Sequence, residues 1–272
     1  MPHSDTEFPI RELASLAEYD ACVALQDDTW GHGFSERVPG AILRVAQKIG
    51  GVAAGAFDHD GGLAGFVFGM TGVRDGVLAH WSDMLAVRPD ARGTGLAERL
   101  KQYQRDRVRV LGVSIMYWTA DPLVARNAHF NINHLGAQPS EYVENMYGGN
   151  TGSVLHGTMP TDRFVYRWEL DAPSVRTHGD HTHTDGIEVA SAIQIDANGS
   201  PYAVDTGASR HVRISLPDDL SAVQSASSTL ALAWRMAVRE AFTSRLNRGF
   251  SVTRFVRGSD AAPSYYVLSA SR

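Results

Sequence analysis

Residues 79–100 read AHWSDMLAVRPDARGTGLAERL and are the most informative segment of this chain. The apolar run 81–87 predicts a strand, which Arg88-Pro89-Asp90 ends. Residues 92–97, RGTGLA, then lead into a helix. Where a strand, a glycine-rich turn and a helix N-terminus meet, backbone N–H groups without helical partners point at one spot, and the helix dipole adds about half a positive charge. The segment therefore predicts a binding site for an anion.

The composition of the turn suits a phosphate. Gly93 and Gly95 have no Cβ, so the backbone can approach a ligand closely. Arg92 adds a planar cation that matches phosphate geometry. The turn is not a P-loop, because no Gly-Lys-Ser/Thr follows, and it is not a dinucleotide fingerprint, because the third glycine is missing. The alternative is a tight turn from strand to helix that binds no ligand.

The segment resembles the pyrophosphate loop of the GNAT superfamily of acyl-CoA N-acyltransferases. The family's pattern is Arg/Gln-x-x-Gly-x-Gly/Ala after a strand that ends in Val-x-Pro, and residues 87–97 match it. The resemblance implies acetyl-CoA or another acyl-CoA as co-substrate, with no metal. It also implies contacts to acyl-CoA from the strand end and the loop, at Leu85, Ala86, Val87, Arg92, Gly93, Thr94, Gly95, Leu96 and Ala97.

Composition limits the class of protein. The chain has 272 residues, 43% of them hydrophobic, and a formal net charge of −5. This size allows one large domain or two small ones, and the charge gives no support to a nucleic-acid-binding surface. A single cysteine, Cys22, excludes an intrachain disulfide and favours a reducing compartment. Neither a signal peptide nor an apolar run of membrane-spanning length is recognised, so we expect a soluble, cytoplasmic protein that binds no membrane.

The first part of the chain predicts alternating strands and helices. Ser15 can cap a first helix, Pro39 can begin a second, and a third follows the anion turn to about Leu111. The predicted strands lie at 8–13, 52–57, 63–71 and 77–87. This is also the GNAT element order, in which the two early helices form the acceptor side. We therefore expect an α/β (α+β) fold with a mixed, mostly antiparallel central sheet and flanking helices.

The next part would complete a seven-stranded GNAT core by about residue 170. The predicted strands lie at 113–119, 141–146 and 164–170, and a helix is predicted at 124–135. In the GNAT fold, the strand that corresponds to 113–119 splays from its neighbour, and the gap admits the pantetheine arm. The family's last helix carries a tyrosine, the usual general acid, where this chain has Ile132. Asn127, which resembles the family's asparagine, is expected to contact the pantetheine or the thiol side.

Two segments lack the regular apolar spacing of a helix or a strand. The glycine-rich loop 147–152 either closes over the acceptor or is a simple connector. Residues 171–186 read DAPSVRTHGDHTHTDG and predict a polar linker. The alternative there is a metal site formed by His178, His181, His183, Asp180 and Asp185.

Residues 187–272 predict an appended α/β subdomain, which gives domains at 1–170 and 187–272 around the linker 171–186. A hairpin at 187–205, a strand at 212–216, one long helix within 220–246 and two final strands are expected. The expected core-facing stripe of that helix is Leu230, Trp234, Ala237, Val238, Ala241, Phe242 and Leu246. This subdomain would supply walls of the acceptor pocket or a surface for a homodimer.

GNAT-type catalysis requires a base that takes a proton from the attacking amine. Asp83 is the first candidate, because partial burial in an apolar strand would raise the pKa of its carboxyl. His80 is the second, and a structural carboxylate is the alternative for Asp83. Tyr147 and Tyr142 are candidates for the missing acid. Backbone N–H groups near residues 85–87 would polarise the thioester carbonyl.

The expected function is therefore acyl-CoA-dependent N-acyl transfer, acetyl by default, to the amine of a small molecule or amino acid. The competing hypothesis is a non-catalytic, CoA-binding regulatory protein of GNAT fold, which the missing tyrosine and the extra subdomain favour. Transfer to a hydroxyl or another acceptor on the same fold is a third possibility.

Overall fold

A computed structural model describes residues 8–149, 151–157, 159–172, 189–259 and 262–271. By their contacts, these residues form two units. The first unit comprises 8–118, 151–157 and Trp168–Ala172, and the second comprises the other described residues. None of the helices in the described ranges combines the length and the apolar character needed to cross a membrane.

The elements before residue 121 follow the order expected from the sequence, and their bounds differ from the predicted ones by at most three residues. They are β1 (Ile10–Glu12), α1 (Leu16–Trp30), α2 (Gly40–Lys48), β2 (Val52–Phe57), β3 (Leu63–Arg74), β4 (Val77–Val87), α3 (Leu96–Arg109) and β5 (Ile115–Ala120). A short 3₁₀ turn, Pro89–Ala91, joins β4 to α3. The cap predicted at Ser15 is confirmed as a capping box, in which Glu18 closes the reciprocal hydrogen bond.

The later elements include two departures from the expected helices. They are α4 (Ala125–Ala128), a π-helical turn (His129–His134), β6 (Gln138–Val143), β7 (Arg163–Glu169), β8 (Ala190–Ser191), β9 (Ile193–Ile195), β10 (Pro201–Ala203), β11 (His211–Ser215), α5 (Leu220–Ala226), α6 (Ser228–Leu246), β12 (Phe250–Val256) and β13 (Tyr265–Ala270). The helix predicted at 124–135 is thus helical from 125 to 134, but its second half is π-helical rather than α-helical.

The long helix predicted within 220–246 is present as α6, and Ser227 separates it from the short helix α5, which the sequence analysis did not distinguish. Ser227 has extended backbone angles, with φ −158° and ψ 109°, and its hydroxyl accepts the Leu230 N–H at 3.1 Å. A serine that caps the following turn ends one helix and begins the next. The strand predicted at 141–146 lies earlier, at Gln138–Val143, and a turn follows it.

The strands form a seven-stranded sheet of order β1-β2-β3-β4-β5-β7-β6 and a four-stranded sheet of order β12-β13-β11-β8, while β9 and β10 make a hairpin. In the larger sheet β4 and β5 are parallel, and the other described registers are antiparallel. The expected mixed, mostly antiparallel sheet with flanking helices is thus confirmed. The predicted domain boundaries stay a prediction, and most of the predicted linker (173–186), including its histidines, lies outside the described residues.

The first unit has helices on both faces of β2, β3 and β4. On one face, α1 and α2 pack Cys22 and Leu43 against Phe66, Phe68 and Met84, all of which are buried. On the other face lies α3, whose buried positions include Leu100 and Val108 but also the polar side chains Lys101 and Gln104. β4 therefore runs between two packed layers, and its side chains alternate between them.

The second unit has a core of aromatic side chains. The ring of Phe164 on β7 lies 4.7 Å from that of Phe242 on α6 and 5.6 Å from that of Tyr266 on β13, centroid to centroid. The buried face of α6 also carries two arginines, Arg235 and Arg245. The predicted stripe omitted both, because a charged residue at a helical position is ordinarily expected on the solvent side.

Candidate functional site

The turn between β4 and α3 is held in place by its own side chains. Arg88 bonds the carboxylates of Asp58 and Asp90, at 3.0 and 2.7 Å. The exposed Arg92 folds back, and its Nε donates to the Val87 carbonyl at 3.2 Å. The hydroxyl of Thr94 donates to the Ala91 carbonyl at 2.8 Å. The turn therefore has a defined shape, with a guanidinium beside the end of β4.

Both glycines of the turn use conformations that other residues avoid. Gly93 and Gly95 have φ +80° and +79°, in the left-handed region. Apart from the adjacent residues, no atom of the described part of the chain lies within 4 Å of the position that a Cβ would take at either glycine. The requirement for glycine is therefore conformational, and the space beside both residues is open to a ligand.

Gly95 is also the N-cap of α3, and it has no side chain to accept a hydrogen bond from the first turn. Leu96 anchors the start of the helix, with only 1% of its surface exposed. The amides of the first turn are therefore not capped by the residue that usually does so, and they point out of the helix end. With the open glycines and Arg92, these amides have an arrangement that suits an anion, and the binding of an anion here stays a prediction.

β4 leaves its neighbour β5 before it reaches this turn. The register of the two strands covers Ala79–Trp81 against Ile115–Tyr117, and β4 then continues to Val87. The N–H of Arg88 donates to the Ala64 carbonyl, on the β3 side, at 2.8 Å. Because N–H directions alternate along a strand, those of Leu85 and Val87 point away from β3, into the space that β5 leaves.

A β-bulge in β4 lies between the paired section and this free section. Phe68 of β3 opposes Met84, whereas Gly69 opposes Ser82, so Asp83 is the additional residue. Before the bulge, Ser82 faces α3, where the Lys101 amine donates to its hydroxyl at 2.7 Å. After it, Met84 belongs to the cluster packed against α1 and α2. The bulge therefore changes which residues face each layer, as such irregularities do next to active sites.

Asp83 keeps an exposed surface even though protein surrounds much of its side chain. This partial desolvation raises the pKa of the Asp83 carboxyl, and the nearby charge of Glu36 raises it further. A hydrogen bond with the Trp81 side chain acts in the opposite direction without reversing the shift. An accessible carboxyl with a raised pKa is suited to exchange a proton with a ligand.

Four features point to the same fold: the order of the elements, the seven-stranded sheet, the glycine turn after β4 and the separation of β4 from β5. This part of the chain has a GNAT-like fold. The residues that would surround acyl-CoA in such a fold, Arg92, both glycines and the free section of β4, all lie in the first unit.

Solved structures of similar fold include the NatC complex bound to Gag peptide and CoA (17% identity, TM-score 0.47), the ribosomal-protein-S18-alanine N-acetyltransferase from Escherichia coli (16%, 0.47) and an N-acetyltransferase from Staphylococcus aureus Mu50 (14%, 0.46). Each match includes 99% of the solved chain, and the three matches include 60%, 63% and 61% of this chain, respectively. No model of a protein family matches the chain, and no curated protein matches it either.

His80, the second candidate for the base, lies on the α3 side of this GNAT sheet and is fully buried. Its Nδ1 lies 2.9 Å from the Thr71 hydroxyl, and its Nε2 lies 3.0 Å from the Gln104 amide. Burial, together with the charge of Lys101, lowers the pKa of His80 to about 3. Both ring nitrogens are thus engaged inside the protein, and the comparison of the two candidates favours Asp83.

Two loops of the first unit pack on each other, the α1–α2 loop and the described residues 151–157. The Ser35 N–H in the α1–α2 loop donates to the Thr151 carbonyl, and the Val154 N–H donates to the Trp30 carbonyl, both at 2.9 Å. A Cβ at Gly152 would collide with the Gly33 carbonyl, so glycine is required where the loops touch. The described end of the glycine-rich loop therefore packs on the α1–α2 loop, beside Glu36, a residue that the sequence prediction did not single out.

Tyr147, the candidate acid, lies in the second unit, in the turn after β6. Its hydroxyl is 2.7 Å from that of Thr119 near the end of β5, and the Arg163 guanidinium lies 5.3 Å from its ring centroid. The hydroxyl of Tyr142, by contrast, donates to the buried Asp162 carboxylate at 2.7 Å. Desolvation, with Asp162 adding to it, raises the pKa of Tyr142 well above its ordinary value. Of the two tyrosines, Tyr147 has the polar surroundings that suit proton donation.

The remaining predicted contact is Asn127. It lies in α4, where its N–H donates to the Val124 carbonyl at 2.9 Å. Ile132, at the position of the family's tyrosine, is buried in the π-helical turn. The contact of Asn127 with pantetheine stays a prediction.

Proposed function

We propose that this protein is an acyl-CoA-dependent N-acyltransferase. The observation that carries the proposal is the position of Asp83. It occupies the bulge of β4, where that strand leaves β5, and the same strand leads directly to the anion turn. One strand thus carries an accessible carboxyl of raised pKa, outward-pointing amides and, at its end, a phosphate site.

The residues of the turn fit the acyl-CoA co-substrate. Arg92, Gly93, Gly95 and the amides at the start of α3 would hold the pyrophosphate, while the thioester would lie along the free section of β4. The N–H groups of Leu85 and Val87 are directed to polarise the thioester carbonyl. Holding both reactants in place contributes about 7–11 kcal/mol to lowering the barrier in well-oriented systems.

In the proposed reaction, Asp83 takes a proton from the acceptor's ammonium group. The amine nitrogen then bonds to the acyl carbon, the carbon–sulfur bond breaks with its electron pair on sulfur, and the nitrogen gives up a second proton to solvent, from which Tyr147 regains the proton that it donates. Tyr147 is the proposed donor of the proton that the leaving thiolate accepts. No covalent enzyme intermediate is required, and the one cysteine, Cys22, is buried with its thiol pKa raised to about 12 by desolvation.

The acceptor that we propose is the amine of a small molecule or amino acid, and the acyl group is acetyl by default. Two loops packed on each other beside Glu36 support an enclosed acceptor side in the first unit. The carboxylates of Glu36 and Asp83 also favour an acceptor that arrives as a cation.

The test is release of the CoA thiol from acetyl-CoA and succinyl-CoA against a panel of amines and amino acids. The variant Arg92→Glu/Gly95→Asp, which removes the anion site, is the matched control. Release that requires an amine and disappears in the control supports the proposal. Tight CoA binding without release on any acceptor would favour the regulatory hypothesis instead, and no binding at all would overturn both.

A further inference from the structure

The turn that carries Tyr147 is fixed by residues on either side of the β6–β7 loop. Asn145 has φ +47°, and its carbonyl accepts the Gly148 N–H at 2.9 Å. The Tyr147 N–H donates to the Thr161 hydroxyl at 3.0 Å, and the Asn145 side chain accepts the Thr161 N–H at 3.2 Å. The position of Tyr147 thus depends on the segment that enters β7.

Asp162, the next residue in that segment, connects the turn to the C-terminal part of the chain. Its fully buried carboxylate accepts from Tyr142, from the Asn145 N–H at 3.0 Å and from Arg239 of α6, whose Nε and Nη2 lie at 2.8 and 2.5 Å. Burial alone would raise the pKa of Asp162, but the hydrogen bonds, that of Arg239 first, lower it below its ordinary value. Asp162 is therefore a carboxylate held in a bidentate pair.

A second arginine of α6 holds the other side of Tyr147. Arg235, one helical turn before Arg239, bonds both oxygens of Asp121 at 2.9 and 2.5 Å. Asp121 follows β5 and lies two residues after Thr119, whose hydroxyl contacts that of Tyr147. Arg163 approaches the same Asp121 carboxylate at 3.6 Å. Both anchors of Tyr147, the β6–β7 turn and the end of β5, are thus attached to one face of one helix.

Stability alone is a weak explanation for this arrangement. Buried ion pairs recover little more than the free energy lost when their charges leave water, and apolar side chains of similar volume often do as well. A bidentate arginine–carboxylate pair does, however, fix two backbone segments in a defined relative orientation. Such precision is useful where a proton donor must be placed, because misplacement by about 1 Å can cost about 100-fold in rate.

We propose that Arg235 and Arg239 are positioning residues, through which the C-terminal helix α6 holds Tyr147 in place for proton transfer. The inference rests on the proposed function, in which Tyr147 protonates the leaving thiolate. It assigns a role to a part of the chain that lies outside the seven-stranded sheet. Neither arginine is itself proposed to touch substrate.

The test compares the full-length protein with Tyr147→Phe, Arg239→Gln and the double variant, by CoA release at a range of pH. Arg239→Gln should lower kcat about 10- to 100-fold with little change in KM for acetyl-CoA, and should alter the alkaline side of the pH profile as Tyr147→Phe does. The double variant should be no slower than Tyr147→Phe alone. Additive losses, or an unchanged pH profile, would overturn the inference.

Two further variants separate positioning from general destabilisation. Arg248→Gln removes an ion pair with Asp205 in the same unit, 3.1 Å long and largely exposed, and should leave the kinetics unchanged. Arg239→Lys keeps the charge but loses the bidentate pair. Its stability should therefore be closer to that of the wild type than its kcat is. If Arg239→Gln does not fold, the lysine variant carries the test, and wild-type kcat in it would contradict the inference.

A measurement that needs no turnover distinguishes failure of this inference from failure of the proposed function. The amides of Asn145 and Tyr147 donate to Asp162 and Thr161, so their hydrogen exchange reports on the turn. Exchange at both should accelerate at least tenfold in Arg239→Gln and not in Arg248→Gln. Unchanged exchange would refute the positioning role even if the wild type proves to be an acyltransferase. If exchange accelerates in Arg239→Gln but the wild type shows no turnover, the proposed function is contradicted while the attachment of the Tyr147 turn to α6 is supported.

Discussion

Asp83 is the residue on which the proposed chemistry depends most directly. Replacement by asparagine keeps the shape of the side chain but removes its ability to take a proton. We expect kcat of Asp83→Asn to fall about 10²- to 10⁴-fold, the usual contribution of a general base, with little change in KM for acyl-CoA. Asp60→Asn, in an exposed hairpin turn, is the matched control. Wild-type kcat in Asp83→Asn would exclude Asp83 as the base.

Glu36 makes a separate prediction about pH. Because desolvation and then the Glu36 charge raise the pKa of Asp83, activity should fall with acidification at a pH above the ordinary pKa of an aspartate. In Glu36→Gln the second cause is removed, so the pKa of Asp83 should decrease and the acidic limb of the kcat profile should move to lower pH. A limb that stays in place, or moves to higher pH, would show that another group controls it.

The buried His80 should make the free energy of unfolding depend on pH. Its pKa is about 3 in the folded protein and about 6.5 when exposed, so between these values the unfolded chain binds more protons. The protein therefore has its full stability with respect to His80 above pH 6.5 and loses part of it as the pH falls toward 3, because only the unfolded chain then binds the proton. Between pH 6.5 and 5 the wild type should therefore lose about 2 kcal/mol of unfolding free energy that His80→Gln does not lose. Urea unfolding across this range measures both slopes, and parallel slopes would contradict the prediction.

Individual site residues could be proposed from the sequence where the neighbouring residues mark them. Gly93 and Gly95 lie in one short pattern, and Asp83 is a charged residue within an apolar strand, so each could be identified alone. Glu36 and Arg239 could not, because their significance comes from partners far away in sequence, Asp83 and Asp162. Exposed and helical charges without such partners are common, and nothing in the pattern distinguishes these two.

The β3–β4 bulge is the feature of an element that the site most needs. A Cβ at Gly69 would collide with the His80 ring and would lie 2.6 Å from the Trp81 carbonyl. Gly69→Ala should therefore destabilise the protein by about 1–3 kcal/mol and lower kcat, because β4 must shift at the bulge. Gly72→Ala is the matched control on the same strand, since no described residue other than its two neighbours in the chain has an atom within 4 Å of its Cβ position. Equal effects of the two substitutions in thermal unfolding and kinetics would contradict this account.

Strands were easier to predict than helix interruptions. β2 and β4 have the predicted bounds, because tight turns end apolar runs on both sides. The break at Ser227 was missed, because apolar spacing continues across it and only the backbone shows that the serine caps a new helix. Likewise, the π-helical turn that contains Ile132 keeps helical spacing while its hydrogen bonds widen.

For the whole molecule, the resemblance predicted the seven-stranded part, because a GNAT turn implies its flanking strand and helix. The C-terminal part offered no comparable motif, so only its elements were predicted and not the use of α6. The core-facing arginines of α6 show the physical reason. A buried charge is acceptable only with a partner, and pairing across more than one hundred residues is invisible to a local pattern.

Ligand binding should be visible in the stability of the full-length protein. A ligand that binds only the folded state adds about 2.7 kcal/mol at 100 times its Kd, which for a chain of this size raises Tm by roughly 5 °C or more. We expect acetyl-CoA and CoA to produce this shift in the wild type and in Asp83→Asn, because the anion turn is intact in both. Arg92→Glu should abolish it, since a carboxylate then faces the phosphates. Arg257→Glu makes the same change of charge at an exposed residue after β12 and should keep the shift. A shift that survives Arg92→Glu would place CoA elsewhere on the chain, and the turn after β4 would then be structural.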